Sequence, residues 1–139
     1  MEKVYLSLGS NLGDRAANIA EAVDKLDSRI GQHVAMSSVI ETESWGFSGA
    51  NFLNCAVLYE TDVDPLSLLG ICKEIERGMG RRETVEFSDD GARIYHDRTI
   101  DIDILLYGDR KIDTPELRIP HPLMYEREFV MRPLGEILR

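Results

Sequence analysis

The sequence predicts an α+β sandwich, a mainly antiparallel sheet with helices packed on it, and three observations carry that expectation. Two-residue alternation marks strands over residues 4–8, 52–59 and 100–107. The helical period marks residues 18–30 and 65–79. A further β-rich stretch at 33–42 completes the order β-α-β-β-α-β, the split βαβ arrangement of a ferredoxin-like fold.

Each element has its own local reason. Val4-Tyr5-Leu6-Ser7-Leu8 alternates and is rich in β-formers. Gly9 to Asp14 breaks the pattern with two glycines, and Asn11 and Asp14 read as turn and cap residues for the first helix. Ile19, Val23, Leu26 and Ile30 form one helical stripe, which Gly31 ends. Val34, Met36, Val39 and Ile40 suggest one strand over 33–42, with imperfect alternation. Residues 43–50 form a loop with two glycines and the aromatics Trp45 and Phe47. In the next strand Phe52, Asn54, Ala56 and Leu58 share one face, and Leu53, Cys55, Val57 and Tyr59 the other. Pro65 suits a first helical position, and Leu66, Leu69, Cys72, Ile75 and Met79 continue the stripe to Gly78 and Gly80. Residues 81–98 are a polar connection without a period. Residues 112–117 suggest a short strand, Pro120-His121-Pro122 a turn, and 124–138 helical segments interrupted at Pro133.

The length of 139 residues fits one domain over residues 1–139. With 16 basic and 25 acidic residues the net charge is −9, which argues against a nucleic-acid or anionic-membrane binder. A phosphate-bearing small molecule stays possible through a local basic cluster and a metal. No apolar run approaches the ~18 residues of a membrane span, and Met1-Glu2-Lys3 opens no secretory signal. Cys55 and Cys72 stand in no CxxC or Cys/His spacing, which argues against a disulfide framework or a structural zinc site. The expectation is a reduced, cytoplasmic protein, a monomer working on small molecules.

The sharpest chemical signal is Ile100-Asp101-Ile102-Asp103-Ile104. On a strand the two aspartates share one face with Cα atoms roughly 6.5–7 Å apart. Like charges at that spacing repel, a cost that turns useful if a divalent cation sits between them. The plainer alternative is a solvated face with Arg98 pairing one acid. Arg81, Arg82, Arg93 and Arg98 bracket the preceding connection, and arginine's planar fork suits phosphate oxygens. Against this, Glu83, Glu86, Asp89, Asp90 and Asp97 can neutralise the arginines on a solvated loop.

Several blocks together resemble one family. Leu8-Gly9-Ser10-Asn11-Leu12-Gly13-Asp14 is similar to the GSNLG(D) opening of the 6-hydroxymethyl-7,8-dihydropterin pyrophosphokinases. Phe52-Leu53-Asn54-Cys55-Ala56-Val57 resembles that family's [YF]-L-N-x-A-V strand, and Glu74-Ile75-Glu76 with Gly80-Arg81 its helix end. Residues 98–105 resemble its R-x-(I/L)-D-(I/L)-D-(I/L)-(L/M) signature. Ile119-Pro120-His121-Pro122 and residues 127–134 are similar to its (I/V)PH…R-x-F-(V/M)-x-x-PL segment. The resemblance runs from about Val4 to Ile137. Departures are the long acidic stretch 81–98, His96-Asp97 before Arg98, and an end at Arg139 where relatives usually continue.

The resemblance implies transfer of diphosphate from ATP to the pterin alcohol in folate biosynthesis, with release of AMP. It places two Mg²⁺ ions on Asp101 and Asp103, and Arg81 and Arg98 on the phosphates, as the catalytic set. It gives the pterin Phe52, Asn54, Phe129, Trp45 and the backbone near Thr42 and Glu43. It puts Glu76, Tyr95, Ile104, His121 and Arg127 on the ATP side with Arg81 and Arg98. The alternative is a non-catalytic small-ligand-binding module on the same fold.

Overall fold

The computed structural model describes residues 1–43, 51–80 and 99–139, with the backbone of two short strands between the last two stretches. In chain order the elements are β1 (Glu2–Ser10), α1 (Arg15–Ile30), β2 (Ala35–Met36), β3 (Ile40–Thr42), β4 (Phe52–Thr61) and α2 (Pro65–Gly78). They continue with β5 (Glu86–Phe87), β6 (Arg93–Ile94), β7 (Asp101–Tyr107), β8 (Ile112–Asp113), β9 (Arg118–Ile119), a 3₁₀ turn (Met124–Glu126) and α3 (Glu128–Ile137).

The main sheet has the order β2-β4-β1-β7, with β3 also on β4, and every pairing is antiparallel. This is the ferredoxin-like order, with β1 and β4 central. One face carries Val4, Leu6, Leu8, Cys55, Val57, Ile102 and Ile104, packed with Ile19, Leu26, Leu68 and Cys72 of α1 and α2. The other carries Tyr5, Ala56, Leu58 and Leu105 under Met124 and the α3 residues Val130, Leu134 and Ile137. The alternation read from the sequence therefore sorts each strand between two apolar layers. Both long helices start as their sequences predict. Asp14 accepts from the Ala17 N–H at 3.1 Å, and Asp64 accepts from the Ser67 N–H at 3.0 Å with Pro65 in the first turn.

Three expectations change. The strand expected over 33–42 is two short strands, β2 and β3, each on β4. Ser37 causes the break: its N–H donates to Ala56 O at 2.9 Å, while its own Oγ accepts from the Ala56 N–H at 2.8 Å. A side-chain oxygen thus replaces a main-chain acceptor, and the ladder cannot continue in register. Glu136 of α3 holds the neighbouring Ser38 through its N–H at 3.0 Å and its Oγ at 2.6 Å. The strand expected over 112–117 is shorter: β8 turns through Thr114 and Leu117 and pairs with β9. Finally, α3 runs unbroken through Pro133. The ring removes one hydrogen-bond donor, yet Val130, Pro133, Leu134 and Ile137 are all buried, so one continuous face holds the helix on the sheet.

Candidate active site

The face under α3 also carries two polar rows set by strand register. Asn54 of β4, Gly9 of β1 and Asp101 of β7 lie side by side, and Ala56, Ser7 and Asp103 form the next row. Neighbouring strands are ~4.8 Å apart, so Asn54 and Asp101 stand about 10 Å from each other across Gly9. Asp101 and Asp103 are half-buried on one face, as alternation requires.

Gly9 is needed for contact rather than for backbone freedom. A Cβ there would stand 2.8 Å from Asn54 Oδ1 and 3.4 Å from Phe52 Cδ1, so the amide and the ring lean over β1. Asn54 is buried, and its Nδ2 donates to Thr42 Oγ1 at 2.6 Å. β3 supplies Thr42 because it pairs opposite Phe52, and the exposed Glu43 follows it. Phe129, half-buried in the first turn of α3, has the Arg127 guanidinium 5.6 Å from its ring centroid.

Along the outer edge of β7 lies a cavity of about 320 Å³, walled by Leu69, Lys73 and Glu76 of α2, by residues 101–104, by residues 115–118, and by His121 and Pro122. Glu76 is buried and its Oε2 accepts from the Ile102 N–H at 2.8 Å. The carboxylate thus serves a β7 amide on the side away from β1, between the two aspartates. Ile104 belongs to the helix-packed core and borders the cavity with it.

His121 is fixed at three points. Its N–H donates to Leu105 O at 3.0 Å, its Nδ1 accepts from the Leu123 N–H at 3.3 Å, and its Nε2 lies 4.0 Å from Asp103 Oδ1. Acceptance at Nδ1 selects the neutral tautomer with hydrogen on Nε2. Burial holds its pKa below the ordinary 6.5, Arg127 adds to this, and Asp101 opposes it. The ring therefore offers a neutral N–H donor beside the aspartates.

The structure thus brings Glu76, Asp101, Asp103, Ile104 and His121 around one cavity, and Thr42, Phe52 and Asn54 into one group on the sheet. Trp45, Arg81, Tyr95 and Arg98 lie outside the described residues, as do Arg82, Glu83, Asp89, Asp90, His96 and Asp97, and the side chains of Glu86 and Arg93. The sequence reading missed Leu69 and Lys73 as cavity walls. Their spacing with Glu76, at i, i+4 and i+7 on α2, is the signal that could have found them. Among the described residues no group of three or more His, Cys, Asp or Glu side chains converges to hold a metal unaided. Two half-exposed carboxylates fit Mg²⁺, which commonly takes one or two carboxylates and completes its shell with phosphate oxygens and water.

Sheet order and helix placement define a ferredoxin-like α+β sandwich, with polar groups on one sheet face and a cavity at its edge. A family model described as 7,8-dihydro-6-hydroxymethylpterin-pyrophosphokinase (HPPK) matches residues 5–139. The chain is 45% identical over 139 residues to the 2-amino-4-hydroxy-6-hydroxymethyldihydropteridine pyrophosphokinase of Porphyromonas gingivalis, covering 99% of this chain and 91% of that one. It is 41% identical over 138 residues to the enzyme of the same name from Aquifex aeolicus, covering 99% of this chain and 81% of that one. A solved HPPK-DHPS structure in complex with substrates shares the fold, with a TM-score of 0.69 at 18% identity. That match covers 99% of this chain, which spans 40% of the solved one. The chain belongs to the HPPK family and is a diphosphokinase.

Proposed function

We propose that the chain transfers the β,γ-diphosphate of ATP to the hydroxymethyl group of 6-hydroxymethyl-7,8-dihydropterin, releasing AMP, as a single monomeric domain over residues 1–139 in the cytoplasm. The observation that carries this reading is the pairing of Asn54 and Asp101 on either side of Gly9. It sets an amide that can read a heterocycle edge about 10 Å from a carboxylate pair, the reach of a substrate carrying a reactive arm.

Asn54, Thr42 and the backbone at Glu43 read the pterin edge, and Phe52, Phe129 and Trp45 enclose its flat ring. Ile104 and Glu76 wall the nucleotide side, and Glu76 holds the β7 backbone between the aspartates. His121 donates its Nε2–H toward a phosphate oxygen, and Arg127 and Tyr95 take the ATP-side roles that the family resemblance implies. Asp101 and Asp103 would hold two Mg²⁺ ions, which when bound neutralise phosphate charge and polarise the oxygens attached to them. Arg81 and Arg98 stabilise charge developing on the transferring and leaving phosphates, where positioning and electrostatics carry most of the catalysis. Family membership removes the non-catalytic alternative. Buried Cys55 and Cys72, whose thiol pKa values burial pushes up to about 12, are protonated and suit a reducing compartment.

Formation of AMP from ATP tests the reading. It should require both the pterin and Mg²⁺, and fall at least about 100-fold in Asp101→Ala and in Asp103→Ala with the melting temperature kept. AMP release that is independent of pterin, or turnover near wild type in both variants, would contradict it.

A further inference from the structure

β3 is three residues long and pairs, among the described residues, with β4 alone. Thr42 stands opposite Phe52, and Glu41 opposite Leu53. Alternation turns Thr42 to the α3 side of the sheet, where its Oγ1 accepts from Asn54 Nδ2 at 2.6 Å. Glu41 turns with Leu53 to the side that α1 and α2 cover. On that side Arg15, the first residue of α1, reaches both strand ends. Its Nη1 donates to Glu41 Oε2 at 2.9 Å and to the Asn51 main-chain oxygen at 2.9 Å. Asn51 directly precedes β4, so one nitrogen bridges the two strands beside the Thr42–Phe52 rung. Asp14 anchors the helix start from which Arg15 extends, by accepting from the Ala17 N–H at 3.1 Å.

An exposed ion pair by itself contributes little, and a short edge strand held by a few ladder bonds opens locally before the molecule unfolds. Arg15 does more than pair a charge. Its side chain is 30% exposed, and it joins a carboxylate on one strand to a main-chain acceptor beside the other, so its two bonds oppose that opening. We propose that Arg15 is a positioning residue for the pterin: from behind the sheet it holds the end of β3 against β4, and so keeps Thr42 and the Asn54 amide in the geometry that reads the heterocycle. The proposal rests on the reading of Thr42 and Asn54 as pterin-edge groups. A strand end already held in place loses less freedom on binding, so the contribution appears as pterin affinity. The nucleotide cavity, walled by α2, β7 and His121, contains no residue that Arg15 holds.

The test is calorimetric binding of the hydroxymethyl dihydropterin in the presence of Mg²⁺ and a non-hydrolysable ATP analogue, with binding of the analogue alone measured beside it. Wild type is compared with Arg15→Ala, Glu41→Ala, the double variant and Asn54→Ala. Arg15→Ala should weaken pterin binding about three- to tenfold, and leave both analogue affinity and kcat at saturating pterin within about twofold of wild type. Glu41→Ala should lose less, because Arg15 keeps the Asn51 oxygen, and the double variant should stay within about twofold of Arg15→Ala. Wild-type pterin affinity in Arg15→Ala, equal losses for pterin and analogue, or fully additive losses in the double variant would each overturn the proposal. If Arg15→Ala does not fold, the loss in Glu41→Ala decides. Wild-type pterin affinity in Asn54→Ala would remove the reading of the pterin edge itself, and the role of Arg15 with it.

Discussion

At Gly9 the chain gives up a side chain so that Asn54 and Phe52 can occupy its space. Gly9→Ala would set a methyl 2.8 Å from Asn54 Oδ1 and force the amide away from β1. Pterin affinity, measured by calorimetry, should fall about tenfold, with a stability loss of about 1–3 kcal/mol from overpacking. Unchanged affinity would mean that Asn54 does not read the ligand. His121 makes a second prediction. Its pKa is held below 6.5 in the folded state, mainly by burial, so the unfolded chain binds the extra proton first as pH falls. The contribution is present above pH 6.5 and is lost as pH drops toward the folded value. The melting temperature should therefore fall less between pH 7 and pH 5 in His121→Gln than in wild type. Equal losses would show that burial of the ring does not shape acid stability. Asp101 and Asp103 were legible in the sequence because strand alternation alone puts both on one face. Glu76 was legible only through family resemblance, since its bond to the Ile102 N–H depends on how α2 meets β7.

The elements sort the two sheet faces unequally. α1 and α2 cover one face with a large apolar cluster, while α3 covers the other beside Tyr5, Leu58 and Leu105 and begins at Glu128. Leu134 is 1% exposed in that smaller layer, so Leu134→Ala should cost about 2–4 kcal/mol in denaturant unfolding. A loss below ~1 kcal/mol would mean that α3 contributes little to the core. The same helix shows where sequence reasoning stops. Pro133 carries the local signature of a break, yet its ring lies in the buried face, and packing outweighs one lost hydrogen bond. Ser37 is the reverse case, a residue with no strong local signal that ends β2 because its Oγ enters the β4 ladder. Strong periodicity located β1, β4, β7, α1 and α2, whereas the short edge strands depend on tertiary partners.

For the whole molecule, a net charge of −9 and a polyanionic substrate are reconciled by local placement. The acidic pair lies on the sheet face beside the cavity, and Arg81 and Arg98, at the two ends of the connection that precedes it in sequence, are the residues proposed for the phosphates. No helix among the described residues is long and apolar enough to cross a membrane. Under the proposed reaction, two phosphates move as one unit from nucleotide to pterin. Single-turnover reaction with ATP labelled separately at the β- and γ-phosphorus tests it most directly. Both labels should appear together in the pterin product, with unlabelled AMP as the other product. Transfer of the γ label alone, with the β label retained in ADP, would contradict the account.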